Sequence, residues 1–333
     1  MKRVLITGSA GFIGFHLAKR FLDEGWRVFG VDGFTPYYDV DLKRARHALL
    51  QACERFSGHE LMLEDADALM TLTAEARPDL MLHLAAQAGV RYSVENPRAY
   101  ADANLVGTFN LLEAARVVGV GHLLAASTSS VYGANPTIPF KEDDRTAFPL
   151  SLYAATKAAT ETMAHSYSHL WNLPTTMFRF FTVYGPWGRP DMALYKFVRS
   201  MLRDEPIEVF NHGRMARDFT FIDDLVEAVR RLADAPPIPG GLGASPAAPW
   251  RVVNIGRGEP VGLMDFIGEI ERCLGRKARL RLLPMQPGDV ERTFADCALL
   301  AELTGYRPST SVKDGVAAFC RWYESYYGVS ASS

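Results

Sequence analysis

Val4-Leu5-Ile6-Thr7-Gly8-Ser9-Ala10-Gly11-Phe12-Ile13-Gly14 stands at the head of the chain and decides its fold. Val4 to Ile6 is a short apolar run of strand type, and Phe15 to Glu24 reads as a helix stopped by Gly25. A glycine-spaced turn between a strand and a helix makes an anion seat. The glycines let backbone amides approach a pyrophosphate, and the helix N-terminus supplies partial positive charge. The spacing is GxxGxxG, one residue longer than the commoner GxGxxG. A second strand, Arg27 to Val31, ends at Asp32. An acid there accepts from the adenosine ribose hydroxyls and repels a 2′-phosphate. Without that acid, the glycines would fit any tight βα turn. With it, the segment predicts a dinucleotide held by Gly8, Gly11, Gly14 and Asp32, and NAD rather than NADP. Lys43, Arg44 and Arg46 follow, however, and are the side chains a 2′-phosphate would seek.

Strand and helix patterns alternate outward from this unit to about residue 180, as a doubly wound parallel sheet requires. Leu61-Met62-Leu63, Leu80 to Leu84, His122 to Ala126 and Thr175 to Phe180 read as strands, with helices at Leu105 to Val118 and Ala154 to Leu170 among those between. Right-handed crossovers place the carboxyl ends of these strands on one rim, where Gly8, Asp32, Asp65, Ala85, Ser127 and Phe181 fall. The fold class is therefore α/β, a Rossmann-like doubly wound parallel sheet followed by a smaller mixed α/β substrate domain. The expected division is 1–182 for the dinucleotide, with a later segment near 217–233 returning to it, and 183–333 mainly for substrate. Residues 234–249 are rich in proline and glycine and predict a mobile surface loop. Beyond it lie a strand at Val252 to Ile255 and helices at Leu263 to Leu274 and Val312 to Tyr327.

A chain of 333 residues exceeds what one core normally serves, which agrees with two domains. Its 48% hydrophobic and 22% charged residues are those of an ordinary globule. The net charge of −2 comes with no basic stripe, which argues against nucleic acid. No apolar run approaches membrane-spanning length, and the stretch after Lys2 and Arg3 is too short for a signal peptide. Cys53, Cys273, Cys297 and Cys320 are scattered, with no metal-binding spacing, and fit free thiols in a reducing cytoplasm.

Tyr153 and Lys157 lie four apart at the start of a predicted helix, on one face. A phenol ordinarily loses its proton near pH 10, and a neighbouring ammonium favours the phenolate, which turns tyrosine into a usable base. Tyr-xxx-Lys also arises as a half-buried aromatic beside a surface lysine. The preceding cluster Ser127-Thr128-Ser129-Ser130 at a strand end reverses that reading, because a hydroxyl there bonds the substrate oxygen that Tyr153 deprotonates. His83, inside an apolar strand, reads as a core residue.

Gly8-xx-Gly11-xx-Gly14, Thr128 and Tyr153-xxx-Lys157 resemble the extended short-chain dehydrogenase/reductase family along the whole chain. Four longer blocks, 32–40 (DGFTPYYDV), 85–93 (AAQAGVRYS), 179–193 (RFFTVYGPWGRPDMA) and 282–290 (LLPMQPGDV), resemble the UDP-glucuronate 4-epimerases. The resemblance implies a tightly held NAD, a UDP-sugar substrate and a homodimer built on two long helices per subunit. It assigns Thr128 the catalytic hydroxyl, Tyr153 the base and Lys157 the activating cation. Further cofactor contacts are implied for Phe12, Ile13, Asp65, Ala85, Gln87 and Asn104, with Asp65 equally suited to capping the next helix. No metal is implied. Substrate contacts fall on Arg91 and Arg217 (phosphates), Gln286 and Asp289 (nucleotide ribose), and Thr128. Thr182 and Arg189 suit a sugar carboxylate: a small hydroxyl leaves room for it and a planar guanidinium grips it. The expected reaction is inversion at C4 of UDP-glucuronic acid through a 4-keto sugar, without decarboxylation. Epimerisation of UDP-glucose or UDP-GlcNAc is the nearest alternative. A decarboxylase would carry a glutamate in the stretch after Thr128, where this chain has Ser129 and Ser130.

Overall fold

The computed structural model describes residues 1–286 and 290–329. Its strands are β1 (Arg3–Thr7), β2 (Arg27–Asp32), β3 (Phe56–Glu60), β4 (Leu80–His83), β5 (His122–Ala126), β6 (Thr175–Phe180), β7 (Thr182–Tyr184), β8 (Ile207–Val209), β9 (Ala216–Phe221), β10 (Trp250–Ile255), β11 (Pro260–Gly262) and β12 (Leu280–Leu282). The helices are α1 (Phe12–Asp23), α2 (Val40–Gln51), α3 (Ala66–Ala76), α4 (Tyr92–Glu95), α5 (Pro97–Tyr100), α6 (Gly107–Val118), α7 (Leu152–Trp171), α8 (Ala193–Leu202), α9 (Ile222–Ala233), α10 (Leu263–Leu274), α11 (Ala298–Thr304) and α12 (Val312–Tyr327). A π-helical turn, Ala101–Val106, joins α5 to α6.

Seven strands form one parallel sheet in the order β10-β6-β5-β4-β1-β2-β3. Strand order reverses between β1 and β4, which opens a crevice at their carboxyl ends. Helices cover both faces, so the central strands read as continuous apolar runs. Alternation still decides which side each residue serves. Val4, Ile6, Leu80, Leu82 and Leu124 join the core that includes α1 and α9, and Leu5, Met81 and Leu123 join the core of α3, α6 and α7. Full burial of each such side chain stabilises the fold by about 1.5–3 kcal/mol.

Three sequence expectations change. The strand sought at Leu61-Met62-Leu63 lies earlier, at Phe56–Glu60. It is an edge strand with one face in solvent, so its polar sequence hides it, and the apolar run instead crosses the strand ends beside the cleft. The strand expected in the substrate part, β10, adds to the main sheet beside β6 with Val252 opposite Met177, so the chain crosses the boundary placed at 182. α9, in the segment near 217–233 that the sequence reading returned to the dinucleotide part, packs against α1. Finally, the proline/glycine segment is fastened down. Ser245 N–H donates to the Trp250 carbonyl (2.8 Å), and on α7 His165 pairs with Ser245 Oγ (2.9 Å) and His169 with the Ala247 carbonyl (2.7 Å). Backbone bonding and two helix side chains restrain a composition that suggested mobility.

Past β6 the chain builds two small sheets, β11-β9-β7 and β12-β8. β7 runs parallel to β9, with Thr182 opposite Phe219, which brings the end of the large sheet beside Arg217. Among the described residues no helix is long and apolar enough to cross a membrane.

Candidate active site

A cleft of about 1120 Å³ runs from the glycine turn, across the ends of β1, β4, β5 and β6, to the small sheets. One wall is the predicted dinucleotide seat. Gly8 has φ +72°, and a Cβ there would lie 2.7 Å from the Ala85 nitrogen. At Gly14 a Cβ would lie 2.0 Å from the Gly8 carbonyl oxygen, so the helix can start this close to the strand only with glycine. No side chain caps α1, which leaves its first amides for a ligand. Asp32 is held by the amides of Ala10 (3.0 Å to Oδ2) and Phe34 (2.9 Å to Oδ1), and it lines the cleft with Gly11, Phe12 and Ile13. This bare helix start beside a fixed carboxylate fits the pyrophosphate and ribose of NAD.

Of the three cations beyond Asp32, Lys43 lines the cleft and donates to the Thr35 carbonyl (2.7 Å). Arg44 lies 3.8 Å from Glu60. Arg46 is fully buried and donates to the carbonyls of Ala10 (3.0 Å) and Trp187 (2.6 Å) and to the Tyr38 hydroxyl (3.0 Å).

Tyr153, Lys157 and Thr128 meet at the centre of the cleft. Ser151 Oγ accepts from the Ala154 amide (3.1 Å), capping α7 and fixing where its first turn points. Thr128 Oγ1 accepts from the Ser130 amide (3.2 Å) at the turn after β5. Burial pushes the Tyr153 phenol up, while hydrogen bonding with Thr128 and the charge of Arg189 favour its ionised form. Lys157 Nζ donates to the Ala126 carbonyl (2.8 Å). Its pKa is lowered to about 8 by burial, against the opposing charge of Glu161. The charge that favours the Tyr153 phenolate is thus that of Arg189, far along the sequence, where the sequence assigned it to Lys157.

Glu161, one turn beyond Lys157, is buried with Arg179 (2.8 and 3.0 Å) and accepts from the Ser127 hydroxyl (2.5 Å). Glu161 thus ties both β6, through Arg179, and the end of β5, through Ser127, to α7. Asn104 does not line the cleft. It sits behind the wall in the π-helical turn, where Oδ1 accepts from the Gln87 amide (2.8 Å) and Nδ2 donates to Thr156 Oγ1 (3.0 Å). It positions Gln87, which with Ala85 lines the cleft. Asp65 is also outside the lining and caps α3 through the Ala68 amide (3.1 Å), so of its two readings the cap is the one observed. His83 is buried between Thr7 (2.8 Å) and Thr108 (2.9 Å), and burial holds its pKa down to about 3.

The opposite wall carries Arg91, Thr182, Arg189 and Arg217. Arg217 donates to the Ala216 (3.0 Å) and Glu291 (3.1 Å) carbonyls, and the Arg91 guanidinium lies 4.7 Å from the Phe210 ring centre. Gln286 is not among the lining residues, and Asp289 lies outside the described residues. Two further cations, Lys196 and Arg199, also line this wall. Sequence reasoning missed them, although their i,i+3 spacing on α8 after the Arg189 turn was the available signal. Also missed was Asp191, which pairs with Arg189 (3.0 and 2.5 Å). No cluster of three or more His, Cys, Asp or Glu side chains suited to a metal occurs among the described residues.

Residues 4–241 match the NAD dependent epimerase/dehydratase family. The chain belongs to that family. It is 57% identical to a probable UDP-glucuronate 4-epimerase of Rhizobium meliloti (strain 1021), over 98% of both chains. It is 44% identical to UDP-glucuronate 4-epimerase 4 of Arabidopsis thaliana, covering 97% of this chain and 76% of that one. Among solved structures of this family, the UDP-glucuronic acid 4-epimerase of Bacillus cereus, in complex with UDP-glucuronic acid and NAD, superposes with a TM-score of 0.89 at 33% identity, covering 98% of this chain and all of that one.

Proposed function

We propose that the protein inverts C4 of UDP-glucuronic acid, giving UDP-galacturonic acid through a transient 4-keto sugar. The observation that carries this is a single cleft in which the Tyr153–Thr128 pair faces a wall bearing Thr182 and Arg189, in a chain so similar to named UDP-glucuronate 4-epimerases. NAD supplies a reversible hydride acceptor, which no side chain offers. Tyr153 takes the proton from the sugar 4-OH and returns it to the same oxygen, and Thr128 hydrogen-bonds that oxygen while charge develops on it. Lys157, one turn further along α7, is assigned the supporting cation. The keto sugar turns over between the two half-reactions, so its other face is reduced.

A 4-ketone beside a C5 carboxylate is a β-keto acid and loses CO₂ when the C5–C6 bond aligns with the carbonyl π system. We assign Arg189 and Thr182 to holding that carboxylate out of alignment, and Arg91 and Arg217 to the diphosphate. No carboxylate lines the cleft from residues 127–133, which disfavours the elimination and decarboxylation chemistries of sister enzymes. Incubation of the purified protein with UDP-glucuronic acid, followed by anion-exchange separation, tests this. UDP-galacturonic acid is the expected product. UDP-pentose alone, or turnover of UDP-glucose in preference, would overturn the assignment.

We further propose a cytoplasmic homodimer. α6 and α7 expose Phe109 (47%), Leu170 (61%) and Trp171 (45%), and a symmetric pairing of two copies through these helices would bury apolar surface of this kind. Phe109→Glu should shift the sedimentation of the protein to that of one chain. Unchanged sedimentation would place the interface elsewhere.

A further inference from the structure

Arg189 does not stand alone in the cleft. Asp191 takes two of its donors, Nε–H to Oδ1 at 3.0 Å and Nη2–H to Oδ2 at 2.5 Å. Asp191 Oδ2 also accepts from the Tyr37 hydroxyl at 3.1 Å. All three side chains line the cleft, yet they arrive from different walls: Tyr37 follows the Asp32 strand end, and Arg189 and Asp191 follow β7. The tyrosine is fixed in its turn. Its ring packs on Tyr92 (centroids 4.9 Å apart), and its hydroxyl lies 2.2 Å from where a Cβ would stand on Gly89, a residue at φ +100°.

A guanidinium has five N–H donors in one plane. With Nε–H and one Nη2–H engaged by Asp191, the Nη1 edge is the one turned away from it and able to meet another carboxylate. Fixing one edge of a planar group fixes the direction of the other. Asp191 also cancels the charge of Arg189, so it cannot be there to strengthen anion binding. Its effect must lie in orientation.

We propose that Asp191, braced by Tyr37, is a positioning residue that sets the angle at which Arg189 presents its free edge to the sugar carboxylate, and so fixes the C5–C6 bond away from the C4 carbonyl. This rests on the assignment of Arg189 as the carboxylate clamp. Binding and product fidelity then separate. Without Asp191 the arginine keeps its full charge and grips the carboxylate at least as well, but it swivels. The C5–C6 bond then visits the aligned geometry and breaks. Its electron pair forms the C4–C5 enolate, CO₂ leaves, C5 takes a proton from solvent, and the hydride removed in the first half-reaction returns to C4 as Tyr153 reprotonates the oxygen, giving UDP-pentose. No oxidant beyond the bound NAD is needed.

The test uses the purified, NAD-loaded protein as Asp191→Asn, Tyr37→Phe and Arg189→Met, with KM for UDP-glucuronic acid, inhibition by UDP-glucose and the fraction of UDP-pentose measured together. Asp191→Asn is expected to leave KM unchanged or lower while raising the pentose fraction by about tenfold, with Tyr37→Phe moving it the same way by roughly threefold, as modest misorientation of a reacting group does. Arg189→Met should instead raise KM for the uronate and leave UDP-glucose inhibition nearly as it was. If Arg189→Met behaves so but Asp191→Asn leaves the pentose fraction unchanged, or raises KM as Arg189→Met does, the positioning role is overturned. If Arg189→Met weakens both ligands equally, the clamp itself is wrong and the proposal falls with it.

Discussion

The two walls of the cleft are built by different means. The cofactor wall is local: Gly8, Gly11, Gly14 and Asp32 fall within one βαβ unit, and the contacts that set their spacing lie within that unit or at the adjacent end of β4. The substrate wall is assembled from afar. Arg189 meets Tyr37 through Asp191 across 154 positions, and Thr182 meets Phe219 through a separate small sheet. A local wall tolerates little change because its spacing is set by backbone atoms, whereas a distributed wall is tuned by side chains one at a time. Binding a shared cofactor suits the first, and distinguishing one sugar from another suits the second.

The largest effect should come from the local wall. Gly14→Ala puts a methyl group where 2.0 Å separates it from a backbone oxygen, so the helix start must shift and the pyrophosphate seat opens. The purified variant should retain no NAD by absorbance after denaturation, and turnover should vanish with it. Retained cofactor would mean that the wall is more pliant than its geometry allows. Next, Tyr153→Phe lies on the seam between the walls and removes only the proton carrier. Turnover should fall by about 10³-fold, within the range typical of a lost general base, with NAD still bound. Loss of NAD as well would make the seam part of the cofactor seat.

The smallest effect is one of pH. Lys157 is lowered to about 8 by burial, so its ammonium persists below that value and is lost as pH rises through it. The kcat/KM profile should therefore fall on its alkaline side near 8. Lys157→Arg, which stays protonated, should move that limb upward. A limb that stays put in Lys157→Arg belongs to another group.

What could be read from the sequence follows the same division. The places of Gly8, Gly11, Gly14, Asp32, Thr128, Tyr153 and Lys157 on the cleft were legible because each is set by local spacing on one element or turn. The helices Leu263–Leu274 and Val312–Tyr327 were legible because an amphipathic stripe is a local property. β3 was not, because an edge strand with one wet face carries few apolar residues. The partnership of Tyr37, Asp191 and Arg189 was also hidden, since nothing in the spacing of residues 37 and 191 announces that they meet. Nor could the sequence show that Asn104 would face backward to Gln87 and Thr156 from a π-helical turn.

Arg46 carries one more consequence. Its guanidinium is sealed from water and holds carbonyls of Ala10, in the glycine turn, and Trp187, two residues before Arg189. Those two loops are thereby riveted into one piece, and a buried rivet of this kind does not slip without stranding its charge in the dry interior. The glycine turn and the turn that carries Arg189 consequently move as one body, and a shift at either end is carried straight to the other.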